Sequence, residues 1–178
     1  MYKLLIFFFV ISFSAFSQPH YTKLRAGFTF DALGMAPISM ISAEVPFKYM
    51  GKEFWSGQFG LGLAGNVNSG INPSLGLSTS YNKLLNPYRK QACNPAPSYR
   101  RVEAYLELGL GLSIFDGKDN GLPPKLYHDS NIAPVGLGGI RMHFVSKQWI
   151  YLLKAKFTPI LNSRFPGWGG ISLGIGWR

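Results

Sequence analysis

The sequence predicts an eight-stranded antiparallel up-and-down transmembrane β-barrel, and three observations carry that prediction. Strict apolar/polar alternation recurs in eight separate segments. Charged residues make up 15% of the 178-residue chain, against 47% hydrophobic and 15% aromatic, where an ordinary soluble domain is about a quarter charged. The chain also opens on an export signal. So many aromatics with so little charge exclude disorder. A single cysteine, Cys93, excludes an internal disulfide framework, and no Cys/His cluster has zinc-ligand spacing. No cofactor is expected.

The signal comes first. Lys3 precedes an unbroken apolar run from Leu4 to Ile11, and small residues follow, with Ala15 and Ser17 at the −3 and −1 positions of a cut before Gln18. The run falls short of the roughly 20 apolar residues that a spanning helix needs. Residues 1–17 are therefore expected to be a secretory signal peptide and 18–178 the barrel. No cysteine lies near the cut, so no lipoprotein anchor is indicated.

The strands follow in order, each with two unlike faces. Leu24, Ala26, Phe28 and Phe30 alternate with Arg25, Gly27, Thr29 and Asp31. Ala43, Val45, Phe47 and Tyr49 alternate with Ser42, Glu44, Pro46 and Lys48. Trp55, Phe59, Leu61 and Leu63 oppose Ser56, Gln58, Gly60 and Gly62, and Ile71, Leu75, Leu77 and Tyr81 oppose Asn72, Ser74, Gly76, Ser78 and Ser80. From Val102 to Ile114, apolar positions face Glu103, Tyr105, Glu107, Gly109, Gly111 and Ser113. Ile140, Met142 and Phe144 alternate with Arg141 and His143, and a bulge at Gly138-Gly139 would bring the apolar Val135 and Leu137 into the same face. Tyr151, Leu153, Ala155 and Phe157 then oppose Lys154, Lys156 and Thr158, and Ile171, Leu173, Ile175 and Trp177 oppose Ser172, Gly174 and Gly176.

A soluble barrel turns its apolar face inward and shows Lys and Glu to water. Here the charges fall among Gly and Ser, which suit a narrow lumen, while the apolar face suits lipid. With both termini periplasmic, Phe47, Tyr49, Trp55, Tyr81, Phe144, Trp149, Tyr151 and Trp177 form one aromatic girdle, and Phe30, Phe115 and Trp168 form a thinner one opposite. The same parity makes the long 83–100 segment periplasmic, where long connections are unusual. A ten-stranded barrel is the alternative that would absorb it.

Four segments carry a resemblance: Tyr105-Leu-Glu-Leu-Gly-Leu-Gly-Leu-Ser-Ile-Phe115, Gly138-Gly-Ile-Arg-Met-His-Phe144, Lys156-Phe-Thr-Pro-Ile-Leu161 and Gly167-Trp-Gly-Gly-Ile-Ser-Leu-Gly-Ile-Gly-Trp177. Together they resemble the small outer-membrane β-barrel proteins of Bacteroidota-type bacteria. The likeness covers roughly residues 100–178, and the first half only by pattern. It implies a signal-bearing barrel in the cell outer membrane of a Gram-negative cell, and it implies no activity.

Three groups of residues could carry function. The inward charges are Arg25, Glu44, Lys48, Glu103, Glu107, Arg141, Lys154 and Lys156, with His143 nearby. Buried charge must be paired, so they predict an internal ion-pair plug, or else a narrow anion path. His128-Asp-Ser-Asn131 resembles the His-x-Ser-Asn motif of outer-membrane lipid A deacylases, in which His128 would activate Ser130 for attack on an acyl ester. It stands two strands earlier than in those enzymes and lacks their acidic partner. The 83–100 loop and its edge carry Lys83, Arg89, Lys90, Arg100 and Arg101 with no acid. They suit lipid headgroups, lipopolysaccharide or another outer-membrane or periplasmic protein; an exported barrel meets no nucleic acid. The expectation is a non-enzymatic barrel, structural or an accessory subunit of a larger complex. A lipid A or phospholipid acyl hydrolase and a narrow channel are the alternatives.

Overall fold

A computed structural model of the chain describes residues 22–36, 38–66, 70–86, 102–115, 132–161 and 167–178. The alternating segments form eight strands: β1 (Ala26–Ala32), β2 (Ser39–Met50), β3 (Glu53–Asn66), β4 (Gly70–Leu84), β5 (Val102–Phe115), β6 (Ile132–Val145), β7 (Trp149–Thr158) and β8 (Trp168–Trp177). Each pairs antiparallel with the next, and β1 pairs with β8 to close the barrel. Closure at eight leaves no open edge into which another strand pair could be inserted, so the ten-stranded alternative falls. The β2–β3 and β6–β7 reversals at the termini end are tight. Between β2 and β3 the chain uses Gly51 at φ 59°, a conformation that costs glycine little.

The two faces sort as the alternation requires. Ile41, Val45, Leu61, Ile71, Leu110 and Leu173 are exposed on the outer wall, while Ser42, Glu44, Ser80, Glu107, Arg141 and Lys154 are buried inside. An apolar wall around a polar, charged lumen is the arrangement of a membrane-spanning barrel, the reverse of a soluble one. Aromatic side chains gather on the wall near the termini: Phe47, Trp149, Tyr151 and Trp177 are exposed there. Trp55 lies 5.5 Å from Tyr81 with the rings tilted, and Phe28 lies 6.3 Å from Trp177.

Four expectations from the sequence fail. The β2–β3 register shifts between Pro46 and Lys48. Past this bulge Lys48 turns outward and Tyr49 turns in, donating its hydroxyl to the Leu24 carbonyl at 2.5 Å. Lys48 is therefore not a lumen charge, and Tyr49 is not part of the girdle. Arg25 is not a lumen charge either. Regular pairing in β1 begins at Ala26, so the preceding turn of chain buries Leu24 and leaves Arg25 exposed. No bulge occurs at Gly138-Gly139. The β5–β6 register runs unbroken from Val102↔Phe144 to Ile114↔Ile132, and Val135 and Leu137 point into the lumen. Glycine at 139 instead permits close approach, since a Cβ there would meet the backbone of Ala155 and Lys156. Finally, Trp168 is half-buried against Ala64, Ala133, Val135 and Ile160 rather than set in the far girdle, and its indole N–H donates to the Gly34 carbonyl.

Candidate functional site

Eight strands leave an interior just wide enough for side chains to fill, and the lumen is filled in layers. The middle layer is ionic. Glu44 on β2 accepts hydrogen bonds from Arg141 on β6 and, at 2.8 Å, from Lys154 on β7. Lys154 also lies 3.8 Å from Glu107 on β5, whose carboxylate accepts from Ser80 at 3.0 Å. These contacts cross the barrel, so one network ties β2, β4, β5, β6 and β7. Arg141 is fully buried, and a cation so placed requires its carboxylate. Its guanidinium also lies over the Phe54 ring at 5.1 Å, a favourable cation–π placement.

Toward the termini the ionic layer passes into Glu103. Its two oxygens accept from Thr22 and from Tyr105, both at 2.7 Å, and His143 Nδ1 stands 3.9 Å away. His143 Nε2 accepts from Arg141 Nε at 2.5 Å, which places the imidazole proton on Nδ1, on the Glu103 side. Above this layer Phe54, Leu84 and Tyr105 pack together, with Phe54 edge-on to Tyr105 at 5.3 Å, and Leu24 packs with Ile150 and Leu152. This end is sealed by apolar side chains.

Toward the far end Lys156 pairs with Asp31 at 3.3 Å. Gln58 reaches Asp31, Ser42 and Thr29 from the facing wall. Beyond them the segment joining β1 to β2 folds into the barrel mouth. Met35 and Ala36 are buried with Met40 and Leu137, and Ser113 donates to the Met35 carbonyl at 2.9 Å. The wall makes room for this plug with glycine: a Cβ on Gly76 would meet Met40 Sδ at 2.8 Å, and one on Gly62 would meet Ala36 at 2.8 Å. Ala64, Ala133, Val135 and Ile160 complete the far seal.

Of the lumen charges expected from sequence, the structure brings together Glu44, Glu103, Glu107, Arg141, Lys154 and Lys156, and excludes Arg25 and Lys48. Sequence reasoning missed Asp31 as a partner in the network, although it shares the inward parity of Thr29. It also missed the termini-end seal, whose signal was the same parity carried further: Ile150 and Leu152 lie in step with Lys154, and Phe54 with Ser56. Nothing in the sequence marked the Met35 plug. Lys83 is exposed at the end of β4. Arg89, Lys90, Cys93, Arg100 and Arg101, the His128–Ser130 pair and the segment 1–17 expected to be a signal lie outside the described residues. Among the described residues no group of His, Cys, Asp or Glu could hold a metal ion.

No family model matches the chain, and no curated protein matches it. One similar solved structure is the backbone structure of the Yersinia pestis outer membrane protein Ail in a phospholipid bilayer nanodisc. It is 12% identical, with 88% of this chain and 99% of that chain covered at a TM-score of 0.49.

Proposed function

We propose that the protein is an integral outer-membrane barrel, non-enzymatic and non-conducting, that serves as a structural or accessory subunit of a larger outer-membrane complex. The observation that carries this reading is the packed lumen. Its charges pair with one another across the barrel, and apolar layers close it at both ends. A conduit would need a continuous wet path through the lumen. The apolar wall supports a bilayer as the medium, since a closed barrel is how strands cross lipid with every backbone group paired. The signal-like residues 1–17 support export.

Planar-bilayer recording tests the sealed lumen. Silence under applied voltage is expected, and discrete conductance steps from the wild type would overturn it. The subunit role is tested by extraction in mild detergent followed by mass spectrometry of what co-purifies. Recovery of the barrel alone would sink that role.

A further inference from the structure

Among the described residues, every Lys and Arg outside the lumen lies at the termini end of the barrel. Lys23 and Arg25 precede β1, Lys48 lies near the end of β2, Lys52 lies in the β2–β3 turn, Lys83 lies near the end of β4, and Lys147 lies in the β6–β7 turn. All six are exposed, and the half-buried Arg178 follows β8. The acidic side chain on this rim is Glu53, which pairs across β3–β4 with Lys83 and accepts from the Tyr81 hydroxyl. The described parts of the opposite rim carry no charged side chain outside the lumen. Two local features build this asymmetry, because the bulge after Pro46 turns Lys48 outward and the late start of β1 does the same for Arg25.

We infer that this rim binds the anionic headgroups of phospholipids in the leaflet at the termini end. The cations follow the barrel circumference rather than forming one patch, so they match a plane of phosphates better than a single bound molecule or one face of a protein. They also sit directly beside the wall aromatics Trp55, Trp149 and Trp177, which mark the depth at which headgroups begin. Each Lys or Arg held near an anionic surface is attracted to it over about one Debye length. The inference rests on the barrel spanning a bilayer.

Those same tryptophans report the outcome. The protein is refolded into phosphatidylcholine vesicles containing a minority of phosphatidylglycerol, with bromine on the acyl chains of one lipid or the other, and tryptophan quenching is read. Brominated phosphatidylglycerol is expected to quench about fivefold more per molecule than brominated phosphatidylcholine, with the preference shrinking as salt rises. The Lys48→Gln/Lys52→Gln/Lys147→Gln variant should lose most of that preference, and Arg at the same three positions should keep it. Equal quenching by both lipids would overturn the inference, as would a preference that survives the glutamine variant. A heat-modifiable gel shift verifies folding, and the single substitutions are read in the same way should the triple not fold. No quenching by either lipid would instead refute the bilayer-spanning reading on which the inference rests.

Discussion

Around Arg141 the lumen is closed by charge, whereas around Met35 and Leu137 it is closed by apolar contact, and the two layers differ in what a substitution leaves behind. Removing a methyl group from the plug leaves a small void that neighbours can partly fill. Removing a carboxylate from the middle layer leaves a buried cation short of its partner. The ionic layer is therefore less tolerant, although its net contribution to stability over an all-apolar filling is small. Its value lies in specification, because Glu44 can meet Arg141 and Lys154 only when β2 faces β6 and β7 across a barrel of this circumference.

The largest effect is expected at Glu44. Glu44→Ala should destabilise the barrel by about 3–5 kcal/mol, toward the lower figure because Glu107 remains 3.8 Å from Lys154. Urea unfolding in lipid vesicles measures this. A loss no larger than that of a plug substitution would erase the distinction between the layers. In the plug, Leu137→Ala should cost about 2–3 kcal/mol, the low part of the range for buried leucine, because Met35 and Met40 are flexible enough to close over the space. The same unfolding series reads it.

The Asp31–Lys156 pair, at the boundary between the two layers, sharpens the contrast. Asp31 also accepts from Gln58 at 3.2 Å, so Lys156 is not its sole support. A double-mutant cycle with Asp31→Asn and Lys156→Gln should give a coupling of about 1–2 kcal/mol. Additive losses would show that the boundary behaves as packing rather than as an ion pair.

The outer wall was legible because a two-residue period reports sidedness directly, with no knowledge of what lies across the barrel. Glu44, Glu103, Glu107, Arg141, Lys154 and Lys156 were legible for the same reason. Arg25 and Lys48 were misplaced because parity holds only while a strand stays regular. Gly138-Gly139 misled in the opposite direction. Two apolar residues on the polar face, Val135 and Leu137, suggest a reset register, but Leu137 packs against the plug and Val135 joins the far seal. Alternation says which face a residue occupies. It does not say how deep the residue lies, and depth decides whether an inward residue should be charged or apolar. The inward fold of the β1–β2 segment is a long-range packing choice, so no local pattern announces it.

The smallest effect tests the bulge. Tyr49 faces inward only because the register shifts after Pro46, and the visible gain is its hydrogen bond to the Leu24 carbonyl together with its ring contact to Phe54 at 5.3 Å. Tyr49→Phe keeps the ring and removes the hydroxyl, leaving a carbonyl at the barrel end with one donor fewer. A single hydrogen bond of this kind contributes about 1 kcal/mol, so the variant should lose that much and no more in the same urea titration. Tyr49→Ala also removes the ring from the Phe54 cluster and should lose clearly more. If both variants match the wild type, Tyr49 lies on the lipid face after all. The bulge would then be absent, and Lys48 would return to the lumen, where strict alternation places it.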